Sequence, residues 1–177
     1  MKFKKLELVG FKSFVDKTSI LIEKGLTGIV GPNGCGKSNI VESLRWVMGE
    51  TSAKSMRGSG MEDVIFSGTS NKASKNIAEV SILIENKNNV GAVQYRELNE
   101  INIRRKIEKD KGSKFYINDK EVRARDAQMF FADLSTGAHS PSMISQGRIG
   151  ALVTAKPTDR RAILEEAAGI SGLHVRR

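Results

Sequence analysis

The residues best suited to chemistry lie in one short run, Gly31-Pro32-Asn33-Gly34-Cys35-Gly36-Lys37-Ser38. It reads G-x-x-x-x-G-K-S, the spacing of a phosphate-binding P-loop. Glycines let backbone pass close to a phosphate without side-chain clash. Successive N–H groups can then turn inward as an anion nest. The loop opens onto the N-terminus of a helix, whose dipole favours negative charge. Lys37 is placed to reach the β- and γ-phosphates of a nucleotide, and Ser38 to ligate Mg²⁺.

Such a loop works only between a strand and a helix. Leu26-Thr27-Gly28-Ile29-Val30 is a short apolar run that predicts a buried strand before it. After it, Ile40, Val41, Leu44, Val47 and Met48 form one stripe, which predicts a helix over Ser38–Met48 stopped by Gly49. Residues 50–60 read as loop. Alternation predicts strands around Leu6 and Leu8, Ile20 and Ile22, Val80–Ile84, Ile101–Ile107 and Phe115–Ile117. Arg125–Leu134 is helical in character, Ser135–Gln146 is a polar loop, and Pro157 suits the first turn of a last helix.

The chain has 177 residues and a formal net charge of +9, from 29 Lys and Arg against 20 Asp and Glu. Its length suits one domain, and its balance favours a polyanionic partner. The single Cys35 excludes an internal disulfide and a cysteine-based zinc site. The longest apolar run, Met129–Ala132, is too short for a bilayer, and Met1–Lys5 does not resemble a signal peptide. A reducing cytoplasm is the expected compartment.

A P-loop names a ligand class and not a job. Hydrolysis calls for an apolar strand ending in Asp, usually with a Glu base. Met129-Phe130-Phe131-Ala132-Asp133 imitates that pattern but reads as the end of a helix, with no Glu following. Leu134-Ser135-Thr136-Gly137 imitates an ABC signature, with no catalytic acid downstream. Both are rejected.

Several stretches together resemble the N-terminal head segment of SMC proteins, the chromosome condensation and partition ATPases of the ABC-type P-loop class. They are Gly10–Phe14, Val30–Ile40, Met61–Phe66, Ile144–Ile149 and Arg160–Ile170. The resemblance implies an α/β fold: the N-terminal lobe of an ABC-type head, with a mixed sheet around the P-loop helix and an antiparallel portion. It implies a lobe over residues 1–169 and the start of a coiled-coil helix over 170–177. The signature motif, the Asp-Glu motif and the switch His would belong to a C-terminal lobe beyond these residues.

It further implies ATP and Mg²⁺ as ligands. Pro32 to Asn39 would wrap the phosphates, and Gln146 would join Ser38 at Mg²⁺ and the attacking water, with Lys37 and Gln146 as the catalytic pair. Arg57 would lie near the nucleotide, and Lys12, Ser13 and Phe14 near the adenosine. Cys35 stands where the family more usually has Ser. The implied partners are the C-terminal head lobe, a second head in a homodimer, a kleisin-type subunit and double-stranded DNA, with no membrane. The implied address is cytoplasmic and nucleoid-associated.

Arg104–Arg125 holds nine basic and four acidic residues. Arg104, Arg105, Lys106, Lys109, Lys111, Lys114, Lys120 and Arg123 are the candidate DNA contacts, because flexible cations on an exposed ribbon suit phosphates. Aromatic interleaving is slight, so single-strand stacking is not expected. Two other readings stay open. One is a RecF- or RecN-like repair ATPase, disfavoured by Glu165–Ile170. The other is a non-hydrolysing nucleotide- or DNA-binding module.

Overall fold

A computed structural model describes residues 2–86, 95–133, 153–158, 160 and 161. Strands β1 (Lys2–Val9) and β2 (Thr18–Leu21) precede helix α1 (Lys37–Val47). Strands β3 (Ile77–Glu85), β4 (Glu100–Glu108), β5 (Gly112–Ile117) and β6 (Lys120–Val122) follow, then helix α2 (Ala124–Asp133). Single 3-10 turns lie at Lys54–Met56 and Met61–Val64.

Among the described residues the strands form one six-stranded sheet in the order β2-β1-β3-β4-β5-β6, with every pairing antiparallel, so the antiparallel portion of the expected mixed sheet is the part seen. Alternation sets its two faces. Leu6, Leu8, Val80, Ile82, Ile103, Ile107 and Phe115 point into the core, while Glu79, Arg104, Lys106 and Tyr116 point to the other side. Helix α1 packs on β3 and β4, and α2 on β5. The β5–β6 turn uses Asn118 (φ 47°) and Asp119 (φ 63°), residue types that tolerate the left-handed backbone of a two-residue hairpin.

Two of the three predicted helices form within a residue of their expected limits, and the last, from Pro157, lies largely outside the described residues. The 129–133 segment is indeed the end of a helix. The buried face of α1 differs from the expected stripe: Ser43 and Trp46 are buried, while Val41 and Leu44 are only half-buried. Trp46 takes the central place because its ring meets Phe11 at 5.4 Å between centroids. The C-terminal turn of α1 is also fixed by close approach. A Cβ on Gly49 (φ 103°) would lie 2.4 Å from Gln128 Cγ of α2, whose amide donates to the Gly49 carbonyl at 2.8 Å.

The expected strand over Leu26–Val30 does not form. Leu26 is 99% exposed and Val30 is 93% exposed. A buried strand needs hydrogen-bonding neighbours and a covering layer, and no described strand pairs with this segment.

Candidate nucleotide-binding site

The loop Gly31–Gly36 runs along the surface and turns into α1 through Gly36, whose φ is 94°. A Cβ there would sit 2.6 Å from Ser13 Oγ, so the position demands glycine both for its backbone and for its neighbour. The first turn of α1 has no side-chain cap and no acidic residue. Helix N-termini carry unpaired N–H groups and partial positive charge, and a cap or an acid normally answers them. Here that end is left open, as an anion site requires.

The Lys37 ammonium bends back over the loop. It donates to the Gly31 carbonyl at 2.5 Å and the Pro32 carbonyl at 2.6 Å, and lies 3.7 Å from Cys35 Sγ. A cation held by exposed carbonyls can exchange them for phosphate oxygens without leaving a buried group unpaired. The residues present therefore suit a polyphosphate: the loop backbone and Lys37 would hold it, and Ser38 would offer a hydroxyl to Mg²⁺.

The tertiary fold brings three distant segments to this rim. A tight turn, closed by reciprocal Phe11–Phe14 backbone bonds at 3.1 and 2.8 Å, presents Lys12 and Ser13. Ser13 Oγ accepts from Asn39 Nδ2 at 2.9 Å. The Phe14 ring lies beside Gly36. The loop after α1 brings Arg57, whose guanidinium lies 3.4 Å from Asn39 Oδ1. Lys12, Ser13, Phe14, Asn39 and Arg57 thus gather around the P-loop helix. Gln146 lies outside the described residues.

Lys12 differs from Arg57 in where its charge goes. The Lys12 ammonium turns inward, donating to Glu42 and, at 2.5 Å, to the Met56 carbonyl. Glu42 is the residue that sequence reasoning missed. It is buried on α1 and also accepts from Arg57. Its position four residues after Ser38, on the same helical face, was the available signal. Behind Arg57, Asp63 pins the backbone: it accepts from Ser59 N at 2.6 Å and Gly60 N at 2.9 Å. The Gly60 amide, followed by the Ser59 hydroxyl and amide, holds its carboxyl below the ordinary value of 3.8.

The cations of the basic segment differ in their surroundings. Arg105 is not a surface cation: it is 3% exposed and shares the inward face of β4 with Ile103 and Ile107. Its guanidinium lies 4.5 Å from the Trp46 ring centroid and 4.7 Å from that of Phe115. It donates to the carbonyls of Trp46 (2.8 Å) and Glu50 (2.6 Å) and to Ser113 Oγ. Burial lowers its pKa from the ordinary guanidinium value to about 10, against the opposing pull of Glu50. With its donors spent inside, it cannot reach DNA without leaving the core. Arg104 pairs with Asp119 at 3.0 Å and Glu79 at 3.5 Å. Lys111 pairs with Glu108 and Lys114 with Glu121. Lys109, Lys120 and Arg123 are exposed and Lys106 half-exposed, and none of the four makes an ion pair among the described residues.

An α/β fold whose glycine-rich loop feeds an uncapped helix, backed by an antiparallel sheet, defines the class: a P-loop NTPase of the ABC-type ATPase-head kind. The chain belongs to the RecF/RecN/SMC N-terminal domain family, whose model matches residues 2–148. It is 56% identical over all its 177 residues to the chromosome partition protein Smc of Cereibacter sphaeroides, and 46% identical to that of Myxococcus xanthus. It spans 15% of the length of each of these relatives. Among solved structures, an Smc head bound to the C-winged-helix domain of ScpA superposes with a TM-score of 0.89. The identity is 32%, covering 99% of this chain and 54% of that one. A chain from work on ATP-driven dimerization and DNA-stimulated activation of SMC ATPases gives 0.82 at 31% identity, covering 94% of this chain and 99% of that one.

Proposed function

We propose that this chain is the N-terminal lobe of an SMC ATPase head, binding ATP and Mg²⁺ at residues 31–39. The observation that carries the reading is the open N-terminus of α1, with Lys37 parked on the Gly31 and Pro32 carbonyls. Ser38 and Gln146 would share Mg²⁺, an oxygen-seeking cation suited to hydroxyl and amide ligands. The exposed Leu26, Ile29 and Val30 support completion of the loop's strand by a C-terminal lobe, because such a run is unfavourable in water.

On this reading residues 1–169 form the lobe and 170–177 begin a coiled-coil helix. ATP joins two heads, and hydrolysis separates them. The signature and Asp-Glu motifs would come from outside these 177 residues, so the 177 residues alone should give negligible turnover. A kleisin-type subunit is the proposed third partner, and the nucleoid in the cytoplasm the proposed address. Among the described residues no helix is long and apolar enough to cross a membrane.

The test is titration with a fluorescent ATP analogue, with and without Mg²⁺. Saturable binding strengthened by Mg²⁺ is expected, and its absence would overturn the reading.

Duplex DNA is the proposed partner of the basic ribbon. Lys106, Lys109, Lys120 and Arg123 are the proposed contacts, a reading supported by the burial of Arg105 and the pairing of Arg104, Lys111 and Lys114 with acids. Changing those four to Gln should weaken duplex binding for every sequence. The slope of log affinity against log salt should fall by about one per lost phosphate contact. An unchanged slope would remove this ribbon from the DNA surface.

A further inference from the structure

Glu42 has no part in the chemistry described so far, yet its surroundings are specific. Its Oε2 accepts from Lys12 and its Oε1 from Arg57, so each oxygen holds a different cation. The cations come from separate loops, one between β1 and β2 and one after α1. Both residues have left-handed backbone, with φ of 47° at Lys12 and 55° at Arg57. Residues with a Cβ adopt that region at a cost, and they hold it where surrounding contacts fix the loop. Here the shared carboxylate supplies such contacts, and the Lys12 bond to the Met56 carbonyl stitches the loops together.

The two cations are unequal. The Lys12 side chain is 14% exposed and the Arg57 side chain 59%. Lys12 spends its charge inside. Arg57 is held through one nitrogen, Nη2, by Glu42 and Asn39, and its side chain stays largely in solvent at the first turn of α1. A planar fork fixed on one side keeps donors aligned for an acceptor on the other. Stability alone is a poor account of the arrangement, because a buried carboxylate between cations repays its desolvation only partly.

We propose that Glu42 is a positioning residue for nucleotide binding. Its carboxylate sets the Arg57 guanidinium beside the P-loop helix, and Lys12 balances the remaining charge. A polyphosphate then meets an arginine already aligned, without first ordering its loop. The inference rests on reading residues 31–39 as a nucleotide site.

The experiment titrates full-length protein with a fluorescent ATP analogue and Mg²⁺. It compares the unaltered protein, Glu42→Gln, Arg57→Ala and the double variant. Each single change should weaken binding about tenfold, and the double no more than Arg57→Ala alone. Additive losses, or none from Glu42→Gln, would overturn the proposal. If Glu42→Gln does not fold, Arg57→Lys carries the test, since it keeps the charge and loses the fork. It should bind as weakly as Arg57→Ala, and affinity equal to the unaltered protein would overturn the idea. Lys37→Ala separates the two readings. If it leaves binding intact, the nucleotide site itself is wrong. If it abolishes binding while Glu42→Gln is neutral, only the role of Glu42 fails.

Discussion

The two ends of helix α1 face the same electrostatic problem and meet it in opposite ways. At the C-terminal end the orphan carbonyls are answered from within the fold. Arg105 donates to Trp46 and Glu50, and its guanidinium carbon lies over the rings of both Trp46 and Phe115. A cation there also complements the negative end of the dipole. At the N-terminal end there is no side-chain cap and no acid in the first turn. The charges nearby are cations: Lys37 rests on exposed carbonyls that a ligand can replace, and Arg57 is held by the buried Glu42 with most of its side chain in solvent. One end is closed for stability and the other is left open for binding, so substitutions at the two ends should separate folding from ligand affinity.

The largest effect is expected at the closed end. Arg105→Ala empties the space beside two rings and removes the buried hydrogen bonds to the Trp46 and Glu50 carbonyls and to Ser113, at a cost of about 4 kcal/mol in chemical denaturation of the full-length protein. Arg105→Lys should recover little, because an ammonium cannot stack or fork. A loss below about 1 kcal/mol for Arg105→Ala would mean that its hydrogen bonds and ring contacts do not close this end of the helix.

At the open end, Lys37→Ala should reverse the pattern. Nucleotide affinity should fall about a hundredfold, as for loss of a strong charge-assisted contact. The denaturation midpoint should barely move, since the partners of Lys37 are exposed carbonyls. Comparable destabilisation by Lys37→Ala and Arg105→Ala would erase the contrast between the ends.

The smallest effect concerns the loop that carries Arg57. The Asp63 carboxyl is held below its ordinary value, mainly by the Gly60 and Ser59 donors. A lowered carboxylate pKa contributes stability that is complete above the ordinary value of 3.8 and disappears as pH falls through the lowered one. The Ser59 and Gly60 amide NMR signals should therefore titrate with a midpoint below 3.8. Asp63→Asn should remove that transition, and a midpoint at 3.8 or above would show that the loop is not pinned this way.

Much of the site was legible because the P-loop is a local device. Glycine spacing, the following lysine and the helical period all operate within a few residues, so Gly31–Ser38 and α1 follow from the sequence. The alternation of Ile101, Ile103 and Ile107 likewise fixed the faces of β4. It also placed Arg105 inward, and the count of basic residues around it concealed that.

Glu42 was harder, because its meaning depends on Lys12 and Arg57, distant in sequence and delivered by two loops. Leu26–Val30 failed for the complementary reason. Its composition suits a strand, but a strand exists only when another supplies the pairing edge.

The sequence by itself determined where phosphate chemistry sits and which helix and sheet faces are apolar. Those features depend on spacing along the backbone and on water's rejection of apolar surface. Only the tertiary structure decided which cations remain available. It buried Arg105 against Trp46, tied Lys12 to Glu42 and left Arg57 at the rim. A charge's role is set by its burial and its neighbours, and both are fixed only when distant segments meet.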